Sequence, residues 1–191
     1  MYLIGIIFIV ASSILMAHGN QPVTDIFGFK SGFLHPIMGL DHLLAMLCVG
    51  MISSRIGKKA IWQVPLCFVA VMAIGCVVGF YSGKIDFLEP VISLSVIIFG
   101  FLFLAPRYLS LKATLITVAI FAFAHGVAHG KEMPIFVLPE IYILGFMAST
   151  AFIHILGVGI GEIINRLPRS KTIIKYTGLL LVLAGTVLLA Q

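Results

Sequence analysis

The chain has 191 residues, of which 61% are apolar and 10% charged, with a formal net charge of +5. Ordinary soluble domains run at roughly 45–50% apolar and about 25% charged, so composition excludes a soluble globular domain and points to a membrane protein. The basic residues sit in short connections between apolar runs, a distribution that reads as membrane topology rather than nucleic-acid binding.

In chain order, Met1 to Ala17 is an apolar run followed by the polar stretch His18-Gly19-Asn20-Gln21-Pro22. It resembles the hydrophobic region and exit of a signal peptide, so residues 1–17 are expected to be a cleaved leader and residues 18–191 the transmembrane domain. The run has no preceding Lys or Arg, and Leu15 occupies a position that favours a small residue. A retained extra helix therefore stays open.

Apolar stretches long enough to cross about 30 Å of hydrocarbon as helices fall near 33–53, 61–82, 87–105, 111–129, 139–161 and 173–190. They predict an all-α membrane protein, a six-helix bundle without a second soluble domain. Arg55, Lys58 and Lys59, then Arg107 and Lys112, then Arg166, Arg169, Lys171 and Lys175 mark three connections as cytoplasmic by the excess of positive charge. Lys84 with Asp86 and Glu89, and Lys131 with Glu132, leave the other two without that bias and place them outside. Six spans with an exterior N-terminus and C-terminus fit this pattern, and so do seven with a retained interior N-terminus. Trp62, Tyr81, Tyr108, Tyr142 and Tyr176 lie near span ends, where interfacial aromatic belts are expected.

The chemistry concentrates in two segments, His35-Pro36-Ile37-Met38-Gly39-Leu40-Asp41-His42 and His125-Gly126-Val127-Ala128-His129-Gly130-Lys131-Glu132. Pro36 favours a first helical turn and pushes His35 out of helical geometry, so the first span is expected to begin there, at the outer surface. His35, Gly39, His42 and Met46 would then share a stripe, with Asp41 about 100° around from His42. His125, His129 and Glu132 repeat the same spacing at the outer end of the fourth span. Glu89, before Pro90 at the outer start of the third span, is either a helix N-terminal carboxylate or a third contributor at that depth. His154 lies deeper, on a face with Gly157 and Gly161, as a partner of a neighbouring helix or an inner station on a path.

Ionisable side chains are costly in a membrane and mark function there by default. Imidazole with carboxylate suits Ni²⁺, Co²⁺, Zn²⁺ or Fe²⁺, and the absence of paired thiolates argues against a Cu(I) site. Cys48, Cys67 and Cys76 read as small core residues, and Met38 and Met46 as filler or soft auxiliary ligands. Glycines 75, 79 and 83, and Gly145 with Ser149, read as close-packing faces. A zinc protease would need H-E-x-x-H, and Gly126 stands where its catalytic Glu would be. The glycines around Lys84 lack the spacing and the Ser/Thr of a nucleotide-binding loop. No enzymatic activity is expected.

His35-Pro36, Gly39, Asp41-His42, Ala45-Met46 and Val49-Gly50 resemble the first signature of the HupE/UreJ family of nickel and cobalt permeases. His125-Gly126, Ala128-His129-Gly130, Glu132 and Pro134 resemble its second, and Gly145-Phe146, His154 and Gly157 a third. Met51 and Lys131 depart from the pattern. The resemblance implies a signal peptide, six spans in the bacterial inner membrane, and uptake of Ni²⁺ or Co²⁺ as substrate for hydrogenase, urease or cobalamin pathways. No tightly bound cofactor is implied. The expected metal-handling residues are His35, Asp41, His42, Glu89, His125, His129, Glu132 and His154, with uptake driven by membrane potential. A metal-binding accessory or sensor protein, or a haem-binding electron carrier, is the alternative.

Overall fold

Backbone polar groups in hydrocarbon must be satisfied within the chain, which forces long apolar runs into helices. A computed structural model of the chain describes residues 22–83, 85, 87–105 and 110–191, and it shows seven helices and no strand among them. They are α1 (Pro22–Met38), α2 (Leu40–Ile56), α3 (Ala60–Tyr81), α4 (Leu88–Leu104), α5 (Leu111–Lys131), α6 (Pro139–Arg166) and α7 (Ser170–Leu189). The expected leader at 1–17, together with Lys84, Asp86, Arg107 and Tyr108, lies outside the described residues.

Four helices, α3, α5, α6 and α7, are long and apolar enough to cross a membrane; α1 and α2 form a bent pair that makes a fifth span if counted as one. The apolar α4 is shorter, at 17 residues.

The expected first span, 33–53, is not one helix starting at Pro36. Pro36 lies inside the last turn of α1, which begins well upstream and ends at Met38. Gly39 is extended (φ −84°, ψ 111°), and α2 leaves at 80° to α1. The local sequence permits a break here, because Pro36 removes a backbone donor and strains the turn that contains it and glycine is a poor helix former; the packing of α1 on α6 then fixes where the break falls. His35 and His42 therefore belong to different helices, not to one stripe. Met38, weighed as a soft ligand, is 81% exposed at the bend.

Glycines set how closely the helices pack. On α3, Gly75 and Gly79 face the α5 backbone at Phe123 and Val127, while Gly126 and Gly130 on α5 face the α3 backbone at Met72 and Cys76. Gly157 and Gly161 on α6 meet α2 near Gly50 and Ser54, and Gly145 meets α1 at Phe29. A methyl group at these positions would strike backbone or a buried hydroxyl, so the contacts are of the small-residue kind that lets membrane helices approach. Gly83 is different: α3 has ended at Tyr81, nothing lies near it, and it extends no packing face. α3 thus pairs with α5, α1 and α2 with α6, and α4 with α7.

Phe68, Phe99, Phe103, Phe146, Met46 and Met72 fill the centre, with Cys48 and Cys76 among them as small core residues. Trp62, Tyr81 and Tyr176 are exposed, as belt residues should be, but Tyr142 is fully buried. Its position near the start of α6 suggested an interface; close packing of α1 on α6 at Gly32 and Gly145 covers it instead. Ser53, Ser54 and Ser95 return their hydroxyls to carbonyls three residues earlier in their own helices.

Candidate metal site

The H-G-x-x-H-G pattern of α5 divides its labour around the helix. Four residues bring a helix back to nearly the same face, so His125 and His129 point the same way. The glycine after each lies about 100° around and lets α3 press against the backbone. Both imidazoles are consequently fully buried. His125 places Nδ1 2.9 Å from the Phe121 carbonyl oxygen; a carbonyl can only accept, so Nδ1 carries the proton in the neutral ring and Nε2 keeps its lone pair. His129 stacks on Phe146, with centroids 4.9 Å apart and planes 12° apart, and neither of its ring nitrogens has a hydrogen-bond partner.

The bend at Gly39 supplies the other side. His42 places Nδ1 2.9 Å from Asp41 Oδ1, which also accepts the His42 backbone N–H at 2.8 Å. The carboxylate accepts the Nδ1 proton, leaving Nε2 of His42 as a buried lone pair with no partner. Carboxylates that orient imidazoles in this way are a recurrent feature behind metal-binding histidines. From the end of α1, His35 reaches Glu132 at the C-terminal cap of α5, Nε2 to Oε2, at 2.7 Å. That N–H holds the half-exposed Glu132 carboxyl below the usual glutamate range, the hydrogen bond outweighing desolvation.

These elements bring four imidazoles together. Ring centroids lie 4.8 Å apart for His35 and His129, 4.8 Å for His42 and His129, 5.0 Å for His42 and His125, and 6.0 Å for His35 and His42. One ligand nitrogen from each of His35, His42 and His129 falls within 4.8 Å of the others. Two imidazole nitrogens on one transition-metal ion lie at most about 4.2 Å apart, given bonds of about 2.1 Å. Three nitrogens cannot all stand at that limit, and evenly spaced around the ion they lie about 3.6 Å apart, so inward shifts of up to about 0.7 Å per ring would close a three-nitrogen shell. Glu89 is exposed at the first turn of α4, and its carboxyl interacts with those of Glu132 and Asp41.

His154 stands apart. The fully buried Phe68 ring touches both it and the cluster, with centroids 5.1 Å from His154 and 5.4 Å from His125. Neither ring nitrogen of His154 has a partner, so it does not bridge to a neighbouring helix by hydrogen bonding. The fully buried Ser149 and Thr150 precede it on α6, and Thr150 directs its hydroxyl to Met72 Sδ at 3.8 Å. Lys131, whose charge beside the second motif looked intrusive, donates to the Ser82 carbonyl oxygen at 3.0 Å instead.

Sequence reasoning missed the roles that four residues play here. Gly39 makes the bend, and Pro36 followed three residues later by glycine was the available signal. Phe68, Tyr142 and Phe146 wall the imidazoles; Phe146 stands in the third signature, but nothing distinguishes the other two from any aromatic in an apolar run. Tyr142, 6.2 Å from His35 between ring centroids, has a buried hydroxyl without a partner.

Six buried imidazole nitrogens without partners, on His42, His125, His129 and His154, are unusual. Unmet buried polar atoms typically cost about 1–3 kcal/mol each. The convergence of those on His42, His125 and His129 with carboxylates beside a broken helix defines the class: a multi-pass helical membrane protein with an intramembrane site suited to a borderline divalent cation.

The chain belongs to the HupE / UreJ protein family, whose model matches residues 6–188. It is also similar to Protein HupE of Rhizobium leguminosarum bv. viciae, at 37% identity over 163 residues that cover 85% of this chain and 84% of that one. No solved structure matches it. The family is a transporter and accessory family associated with nickel and cobalt transport, not one of enzymes, and it supports a role for this chain in metal transport.

Proposed function

We propose that this chain is a permease that takes up Ni²⁺ and/or Co²⁺ across the bacterial inner membrane, driven by membrane potential and without ATP. The observation that carries the reading is the meeting of His35, His42, His125 and His129 around lone pairs that no protein donor satisfies. Six spans follow if α1–α2 counts as one broken span and α4 as a short one, with a leader at 1–17 removed and both mature termini outside.

In this reading Glu89, Glu132 and Asp41 lower the cost of bringing a dication toward the membrane. His35, His42, His125 and His129 exchange with its hydration water, and not all need bind at once. His154 receives the ion further in, after the Phe68 ring has moved aside. Binding must be weak enough to release, and an incomplete shell that closes by small shifts provides that. The potential suffices as a drive: a dication moving inward gains about 4.6 kcal/mol per 100 mV, twice the value per unit charge. Hydrogenase, urease or cobalamin assembly would be the consumers of the metal.

The test is flux of Ni²⁺ and Co²⁺ into vesicles holding the purified protein, with an imposed inside-negative potential and His42→Ala as control. Flux that grows with potential and vanishes in the variant supports a permease. Binding without flux would establish an accessory or sensor role instead.

A further inference from the structure

At the other end of the bundle a pocket of about 490 Å³ opens between the C-termini of α2 and α4 and the junction of α6 with α7. Its polar lining is Arg55, Asn165, Ser170, Lys171 and Lys175, and its apolar walls are Leu104 and Ile174. Among the described lining residues there is no carboxylate.

Topology accounts for basic residues at this end, since cytoplasmic loops collect them. It does not account for three cations from two separate helices converging on one concavity. Lys171 and Lys175 stand one turn apart on α7, a like-charge spacing that is unfavourable by itself. Arg55, half-buried at the end of α2, is positioned with its guanidinium 5.3 Å from the centroid of the Phe103 ring. α7 begins at Ser170 with no side chain capping its first turn, so the field of that helix end adds to the positive potential. Such a pocket calls for an anion with several acceptor oxygens. Leu104 and Ile174 add the requirement that the anion be attached to something apolar.

We propose that this pocket binds the phosphate of an anionic phospholipid from the cytoplasmic leaflet, with the headgroup held by Arg55, Lys171 and Lys175 and the proximal acyl chain against Leu104 and Ile174. Basic pockets between membrane helices on the cytoplasmic side recognise anionic headgroups by this chemistry. The inference rests on the membrane placement and sidedness proposed above, and not on which metal is carried.

The experiment is native mass spectrometry of the full-length detergent-solubilised protein with phosphatidylglycerol, cardiolipin or phosphatidylcholine added, in the absence of metal. The variants are Lys171→Gln with Lys175→Gln, and, as a control removing equal charge from a different loop at the same end, Lys58→Gln with Lys59→Gln. We expect phosphatidylglycerol or cardiolipin adducts at least fivefold over phosphatidylcholine, a preference lost in the first variant, kept in the second, and unaffected by millimolar inorganic phosphate. Displacement by inorganic phosphate would show that the pocket takes free phosphate and overturn the lipid assignment. Equal adducts with all three lipids, or equal loss in both variants, would overturn the site. Far-UV circular dichroism and an unchanged melting temperature of the first variant identify a folded protein, so a lost preference is read from an intact bundle.

Discussion

His35 on α1 and Glu132 at the end of α5 join the two signature segments through a 2.7 Å contact between Nε2 and Oε2. The imidazole N–H stabilises the charged carboxylate, so Glu132 has a lowered folded-state pKa. By linkage its stabilising contribution is present above the ordinary glutamate range and is lost only as pH falls through the lowered value. Histidine ligands, in contrast, must be neutral to bind metal, and an ordinary imidazole protonates near pH 6.5, at about two units above a glutamate. Uptake should therefore fall as the outside pH is lowered and the histidines protonate, while Glu132 stays ionised. Glu132→Gln should reduce the rate several-fold without moving the midpoint of that profile. Flux measured from pH 8 to pH 5 checks both parts; a flat wild-type profile contradicts the histidine assignment.

Asp41→Asn tests the orientation of His42. The amide fills the space and its oxygen can still accept from Nδ1, but without the carboxylate's charge it holds the ring more weakly with Nε2 free. Loss of such a supporting carboxylate typically lowers metal affinity about 10–100-fold, and titration calorimetry with Ni²⁺ should show a drop in that range with the melting temperature little changed. An equally tight variant would mean that Asp41 acts only as a distant charge.

Much of this site was legible because its chemistry and its spacing coincide. His125 and His129 were visible as a pair on one helical face, and the structure puts them there for the reason the pattern gives. The approach of α2 and α6 was likewise implicit in Gly157 and Gly161. The bend was not read, because Pro36 fits a helix start as well as a last turn, and only the packing of α1 on α6 decides between them. Tyr142 went astray for a similar reason: an aromatic near a span end is a belt residue unless a neighbouring helix covers it. The contact of one ring, Phe68 on α3, with both His125 on α5 and His154 on α6 joins three helices, and no local pattern encodes it.

The glycines offer an internal comparison. Gly126→Ala would drive a methyl group into the α3 backbone at Met72 and Cys76, and overpacking of this kind costs roughly 1–3 kcal/mol. Because α3 holds α5 in place, the variant should also lose metal affinity. Gly159→Ala sits in the interior of α6 with open space around it and should stabilise by about 0.5–1 kcal/mol through helix propensity alone. Thermal unfolding of the two variants in detergent should move in opposite directions. A shared direction would mean that α3 and α5 are not in backbone contact.

Phe68 makes edge contacts with both His125 and His154, and that placement predicts that binding and flux respond differently. His154→Ala leaves the outer four imidazoles untouched, so Ni²⁺ affinity should stay within about twofold while flux falls by about tenfold, corresponding to the loss of about 1.4 kcal/mol at the limiting step. Phe68→Leu keeps an apolar filler and typically costs far less than truncation to alanine, at about 3–5 kcal/mol; it thins the partition between the two stations. Flux in that variant should rise at unchanged affinity if the ring is the barrier. Paired calorimetry and vesicle flux distinguish these cases: a His154→Ala variant that binds weakly and transports in proportion would place His154 in the outer shell, and one that transports normally would remove it from the path.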